Sequence, residues 1–247
     1  MSEFAIEVEG GKSVRLKTAG KYCDRNIVVT ATGGGGDTDA AYQQGVVDGK
    51  QAEYDRFWDA YQNSGGYVYS YAGAFGSRQW TDEVYNPKYP IVCGGGYNME
   101  RLFYLAEITD TKVTITALNG DFITQMFSNA TKLKTIRKLL LGRTEGVRML
   151  NSFDSCVALE NITIEGILCG QSGRTDPNFQ WSPLTKASIK NIISCLSDTQ
   201  TDAVTAAFSL SAVNTAFETS EGAADGSTSA EWLALVDTKS NWTISLV

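Results

Sequence analysis

SFDSCVALENITIEG, Ser152 to Gly166, changes its hydrophobic period partway along. Phe153, Cys156, Leu159 and Ile162 fall three residues apart, and Ile164 follows at a spacing of two. A helix alone keeps a period near 3.6 and a strand alone keeps two. The stretch therefore reads as a short helical or turn segment feeding directly into a strand. Twenty-six residues upstream, MFSNATKLKTIRKLLL carries the same pattern. Phe127 aligns with Phe153, Ala130 with Cys156, Leu133 with Leu159 and Ile136 with Ile162. A weaker copy begins at Leu102 and runs through VTITA, with Val113 and Ile115 at strand positions.

A period of roughly 20–29 residues with Leu or Ile at strand positions is the signature of a leucine-rich repeat. Such units stack and bury each other's apolar faces. The expected fold class is α/β: a solenoid with parallel strands on one face and helices or turns on the other, over residues 65–247. Toward its end, Ser182-Pro183 reads as an N-cap followed by Pro, ahead of the helix LTKASIKNIISCLSD. AAFSLS reads as a strand, Ser211 and Ser229 as caps of two further helices, and NWTISLV as a closing strand. These are expected to be irregular terminal repeats that shield the core.

Upstream the organisation changes. Residues 1–32 alternate apolar and polar positions in three runs separated by turn residues, which predicts a small β meander. GGGGD opens a linker over residues 33–38; it lacks the GK[ST] of a phosphate-binding loop. Residues 39–64 read as an amphipathic helix. Tyr54, Phe57, Trp58 and Tyr61 share one face at i, i+3, i+4 and i+7, and Gly45 and Gly49 lie four apart on another. That helix either packs on its own domain or associates with copies of itself, in a trimer for example. Residues 67–100 are rich in aromatics and glycine. Tyr67, Tyr69, Tyr71, Trp80 and Tyr85 suit either packing at the first turn of a solenoid or ring stacking on a sugar, and they are the candidate binding residues.

Bulk properties exclude several functions. The 247-residue chain carries 21 Lys and Arg against 28 Asp and Glu, a net charge of −7. This argues against nucleic acid, whose phosphates need basic side chains, and against anionic lipid. The chain has no histidine, which removes Ser-His-Asp and Cys-His catalysis and HExxH zinc chemistry. Five cysteines form no CxxC pair and read as packed thiols. No basic stretch followed by an apolar run opens the chain, and no apolar run reaches the ~18 residues of a membrane span. Asp37, Asp39 and Asp48 lack the spacing of a calcium loop, so no metal or cofactor is expected. Asp82-Glu83 reads as a solvated acidic pair, although carboxylate-pair glycan hydrolysis stays formally open.

MFSNATKLKTI and SFDSCVALENITIEG together resemble the F-x-x-C/A-x-x-L-x-x-I repeat of BspA-like leucine-rich-repeat proteins. LKTAGKYCDRNIVVTATGGGG, GKQAEYDRFWDAYQ with WTDEVYNPKY, and the C-terminal LTKASIKNIISCLSD and NWTISLV are similar to segments of prophage tail-associated structural proteins of gut Firmicutes. The chain departs from that pattern in having two clean repeats, with Ala130 at the Cys position of the first. The resemblance implies a non-enzymatic binding or structural protein on a phage virion or cell surface. Its solenoid would contact a host glycan or protein. A bacterial cell-surface adhesin and a carboxylate-dependent glycan hydrolase are the alternatives.

Overall fold

The computed structural model describes residues 4–8, 12–17, 28–30, 59, 61, 63, 65, 67–68, 74–93, 99–117, 122–200, 203–217 and 226–247. Contacts divide the chain into two units, Met1–Ala60 and Tyr61–Val247. In the first, β1 (Phe4–Val8), β2 (Lys12–Lys17) and β3 (Val28–Thr30) form an antiparallel sheet in that order. The strands fall on the three apolar alternations. Nearly all of the segment read as a helix over 39–64 lies outside the described residues, Gly45, Gly49, Tyr54, Phe57 and Trp58 included.

The second unit is a parallel-strand solenoid. One sheet is built from β4 (Tyr67–Val68), β5 (Ile91–Cys93), β6 (Thr114–Ala117), β8 (Thr135–Leu141) and β10 (Asn161–Glu165). A second stacks β7 (Phe122–Thr124), β9 (Val147–Leu150) and β11 (Leu168–Cys169), all parallel. A third stacks β12 (Thr175–Phe179), β13 (Thr205–Phe208) and β14 (Thr243–Leu246). Register places Ile91, Ile115, Leu139 and Ile164 side by side, and all four are buried. Ile162 pairs with Ile136 across a register shift between Ile162 and Ile164. That irregularity lets β8 turn Ile136 and Leu139 inward although they are three apart, where an unbroken strand would bury residues two apart.

Between the sheets each coil turns around a phenylalanine. Phe75, Phe103, Phe127, Phe153, Phe179 and Phe208 form one column, with successive ring centroids 5.2, 5.6, 5.8, 4.3 and 6.0 Å apart and planes within 27° of parallel. All six are buried. Offset-stacked rings at such spacing contribute about 0.5–1.5 kcal/mol per pair beyond the area they bury. The other repeat positions, Ala130, Leu133, Ile136, Cys156, Leu159, Ile162 and Ile164, are buried with them.

The backbone around three of the rings, Phe103, Phe127 and Phe153, repeats as well. Arg101, Gln125 and Asn151 stand two residues before a column phenylalanine, and Leu105, Asn129 and Ser155 two residues after. All six hold positive φ, between 50° and 63°, a region few non-glycine residues occupy. The twist aims alternate amides at the next coil. Gln125, Phe127 and Asn129 donate to the carbonyls of Leu150, Ser152 and Asp154, and Arg101, Phe103 and Leu105 to those of Thr124, Met126 and Ser128. These bonds offset the local strain. Glycine is required at the corners: Gly166 holds φ +116°, and a Cβ there would lie 2.4 Å from the Leu141 carbonyl oxygen.

Among the described residues, helices longer than a single turn close the C-terminal part: α1 (Lys186–Cys195), α2 (Leu210–Phe217) and α3 (Ala230–Asp237). Ser229 caps α3 as expected, but the other two caps move. Thr185 caps α1, its hydroxyl accepting from the Ser188 amide. Ser182 instead turns inward and donates to the Cys156 carbonyl at 3.0 Å, joining two neighbouring coils four residues before the helix begins. The Ala212 amide reaches the Ser209 hydroxyl, while Ser211 lies inside α2. Helix α1 covers the edge of β10. The Asn191 side chain accepts from the Ile164 amide at 2.6 Å and donates to the Ile164 carbonyl at 3.0 Å. The Ser188 hydroxyl does the same between the Ile162 amide and the Glu160 carbonyl, at 3.0 Å each.

Removing a ring from the middle of the column leaves a gap that neighbouring coils, tied by backbone bonds, cannot close. Phe153→Ala is expected to cost about 3–5 kcal/mol, read as a lowered midpoint in urea denaturation.

Candidate functional site

The aromatic candidates separate into three groups. Trp80 and Tyr85 are not exposed anchors: they are 1% and 0% accessible. Both meet Phe75 edge-on, at interplanar angles of 79° and 73°. Their polar atoms are satisfied internally, the Trp80 indole N–H on the Ala74 carbonyl at 3.1 Å and the Tyr85 hydroxyl on the Thr111 carbonyl at 2.7 Å. They finish the N-terminal end of the phenylalanine column, which is where a large apolar surface would otherwise meet water. Tyr67 opens β4, while its side chain, Tyr69 and Tyr71 lie outside the described residues.

Tyr61, expected on an association face, is corrected too. It is buried within its own chain, against Phe75 and Tyr89. Its hydroxyl donates to the Tyr89 carbonyl, and burial pushes its pKa up to about 12. Packing inside the solenoid unit takes the ring away from any second copy.

The acidic residues at the head of the solenoid brace coils. Both Asp82 oxygens are held by Thr109, one by its amide at 2.9 Å and one by its hydroxyl at 2.7 Å. A notch of about 120 Å³ lies at the turn between β8 and β9, lined by Arg143, Glu145, Gly146, Arg148 and Cys169. Its groups are tied to one another: Arg148 Nε donates to the Gly170 carbonyl at 3.2 Å and the Cys169 thiol to that of Glu145 at 3.1 Å. Cys156 is no nucleophile: it is buried, its thiol points at the Phe127 carbonyl at 3.2 Å, and burial pushes its pKa up to about 12.

The site that spacing did not indicate lies on the phenylalanine turns of the two coils carrying Phe153 and Phe179. Trp181, two residues past Phe179, is 57% exposed, whereas Trp80, Trp232 and Trp242 are buried. Val157 on the preceding coil is also exposed. The same two coils are joined by carboxylates and amides. Asp176 is 1% accessible, and its Oδ1 accepts from the Asn151 amide at 2.8 Å, taking the place of a carbonyl in the inter-coil ladder. Asp154 Oδ1 accepts from Asn178 Nδ2 at 3.1 Å, and Asn178 Oδ1 from the Gln180 amide at 3.2 Å. Burial pushes Asp154 up from the ordinary carboxylate range. Asp176 is pushed up to about 6, by burial first and also by the charge of Asp154; the Asn151 hydrogen bond and Arg174 act the other way. Composition could have hinted at this surface only through Trp181, an indole among Asn, Gln and Ser.

Among the described residues, no three His, Cys, Asp or Glu side chains converge as metal ligands, and no helix is long and apolar enough to cross a membrane. No protein-family model, no curated protein and no solved structure matches the chain.

The Asp176 shift has a definite sign. Its folded pKa, about 6, lies above the ordinary value of 3.8, so folding favours the protonated form. That contribution is complete below the unfolded value and is lost as pH rises through about 6. Asp176→Asn keeps an acceptor for the Asn151 amide and never ionises. In buffer containing EDTA, the variant is expected to gain on the wild type by about 2–3 kcal/mol between pH 4 and 7, measured by thermal melts across that range.

Proposed function

We propose that this chain is a non-enzymatic binding protein that displays its solenoid surface to a host glycan or protein. Its repeats are of the BspA-like leucine-rich kind, and its setting is a prophage tail or another exposed surface. The observation that carries the reading is Trp181. More than half of the Trp181 surface faces water, and a ligand that covered it would gain by burying a large apolar ring. An indole face stacks on the C–H face of a pyranose. Exposed tryptophans are also typical anchors of protein interfaces. The interior of the repeats is filled by phenylalanine and aliphatic side chains, so recognition falls to the outside of the turns.

Trp181→Ala is expected to weaken binding at least tenfold on an array of bacterial cell-surface glycans, with the melting temperature unchanged. Wild-type protein that binds no glycan on the array but captures a host surface protein would move the reading to a protein ligand.

Association belongs to the segment before Tyr61. Light scattering after size exclusion is expected to give a trimer for the whole chain and a monomer for a chain beginning at Tyr61. Two monomers would remove the trimer and favour a single-copy adhesin.

A further inference from the structure

Trp181 belongs to a row. It is the third residue of a four-residue turn, closed by the Ser182 amide on the Phe179 carbonyl at 3.0 Å. The same bond closes a turn after three earlier column rings: Ala106 on Phe103 at 3.0 Å, Ala130 on Phe127 at 2.9 Å and Cys156 on Phe153 at 3.2 Å. Leu105, Asn129 and Ser155 therefore hold the place of Trp181 on successive coils. Those three have positive φ and Trp181 does not, as suits a bulky side chain. Neighbouring turns are tied to one another. The Leu105 amide donates to the Ser128 carbonyl at 3.1 Å, the Asn129 amide to the Asp154 carbonyl at 2.8 Å, and the Ser182 hydroxyl to the Cys156 carbonyl at 3.0 Å. The turn tips thus step along the solenoid axis with the ring column, whose centroids from Phe103 to Phe179 are 5.6, 5.8 and 4.3 Å apart. Such a step is close to the length of one unit in an extended pyranose chain.

We propose that an uncharged linear glycan lies along this row, parallel to the solenoid axis, with one unit on Trp181 and the next two over the Ser155 and Asn129 turns. This rests on the glycan reading of Trp181 and adds the direction and the charge class of the ligand. A chain running along the axis meets a new turn with each unit, and each of these turns offers a polar group. Ser155 and Gln180 are partly exposed, and their side chains have no partner among the described residues. Asn129 gives its Nδ2 to the Ser128 hydroxyl at 3.0 Å and keeps its oxygen. The row closes at the Phe103 turn, where the Arg101 guanidinium lies 5.6 Å over the Tyr104 ring and its Nε donates to Gln125 at 2.8 Å. No Lys or Arg occupies the second or third place of any of the four turns, and the acidic residue among them is Asp154. A ligand carboxylate or phosphate over the last three turns would meet a like charge in place of a cation, which costs affinity.

Whole protein is titrated by calorimetry with ladders of one to six units of β-1,4-linked N-acetylglucosamine, glucose and mannose, with a galacturonate ladder as the acidic counterpart, and is applied to the glycan array. The expected result is a neutral ladder whose affinity rises about fivefold with each unit up to three and is level beyond, with galacturonate unbound. Asn129→Gly, which accepts the positive φ, removes the gain from the third unit and leaves the disaccharide affinity unchanged; Trp181→Ala weakens both. An affinity already complete with one unit, or a third-unit gain that survives Asn129→Gly, overturns the row and leaves the glycan reading standing. Galacturonate bound as tightly as the neutral ladders overturns the charge class. Array glycans bound through Trp181 while every ladder fails overturn the linear ligand. Absence of binding to array and ladders alike removes the glycan reading and this inference with it. The ladder comparison uses the wild type, so it decides the matter even where the glycine variant perturbs its turn.

Discussion

Stacking of Phe75, Phe103, Phe127, Phe153, Phe179 and Phe208 is the contact on which the remaining geometry depends. Parallel strands in a sheet lie about 4.8 Å apart, and offset aromatic rings are comfortable at 4.5–7 Å between centroids. A ring at the same place in every coil therefore stacks without forcing the sheets apart. The left-handed residues two before and two after Phe103, Phe127 and Phe153 follow from this. They fold the chain tightly enough to point the ring inward while aiming alternate amides at the next coil. The aliphatic row through Ile91, Ile115, Leu139 and Ile164 fills the space under the first sheet at the same rise.

A column of rings has two ends, and each is finished by a change of geometry. At the N-terminal end, Tyr61, Trp80 and Tyr85 all meet Phe75 edge-on. At the other, Trp232 from α3 meets Phe208 at 81°. An edge-on ring covers the last face without offering a parallel face for a further ring. Lys239 secures the C-terminal closure. It is almost wholly buried, and its ammonium is held by the Leu196 carbonyl at 2.6 Å and the Asp198 carboxylate at 2.5 Å.

The repeat was legible where its period was constant. Phe127 and Phe153 stand 26 apart, and so do Phe153 and Phe179. The rung from Phe75 to Phe103 spans 28 residues, that from Phe103 to Phe127 spans 24, and that from Phe179 to Phe208 spans 29. Corners and inserted helices absorb the difference, and a fixed spacing cannot follow them. The Phe179 rung was missed for another reason: its coil carries Asp176-Pro177 where apolar residues were sought. The parallel strands were readable from Ile162 and Ile164, and the second short strand of each coil was not. Val147–Leu150 follows β8 after a brief turn and shows no separate periodicity. The candidate site was the least legible part. Aromatic density pointed to Trp80 and Tyr85, but density of that kind is also what an end cap requires. Exposure of Trp181 depends on which side of a turn it falls, and the inter-coil approach of Asp154 and Asp176 depends on stacking that no local pattern records.

Helix α1 meets β10 with an amide and a hydroxyl in place of a neighbouring backbone. To the strand, Asn191 and Ser188 imitate a further coil, but one from which no sheet can grow. The length of the five-stranded sheet is therefore decided at one place in the gene. Duplication of a unit upstream of α1 would lengthen the array and leave its terminus intact. Loss of the α1 segment would uncover a row of unpaired peptide groups and convert a bounded particle into one able to recruit another chain by its edge.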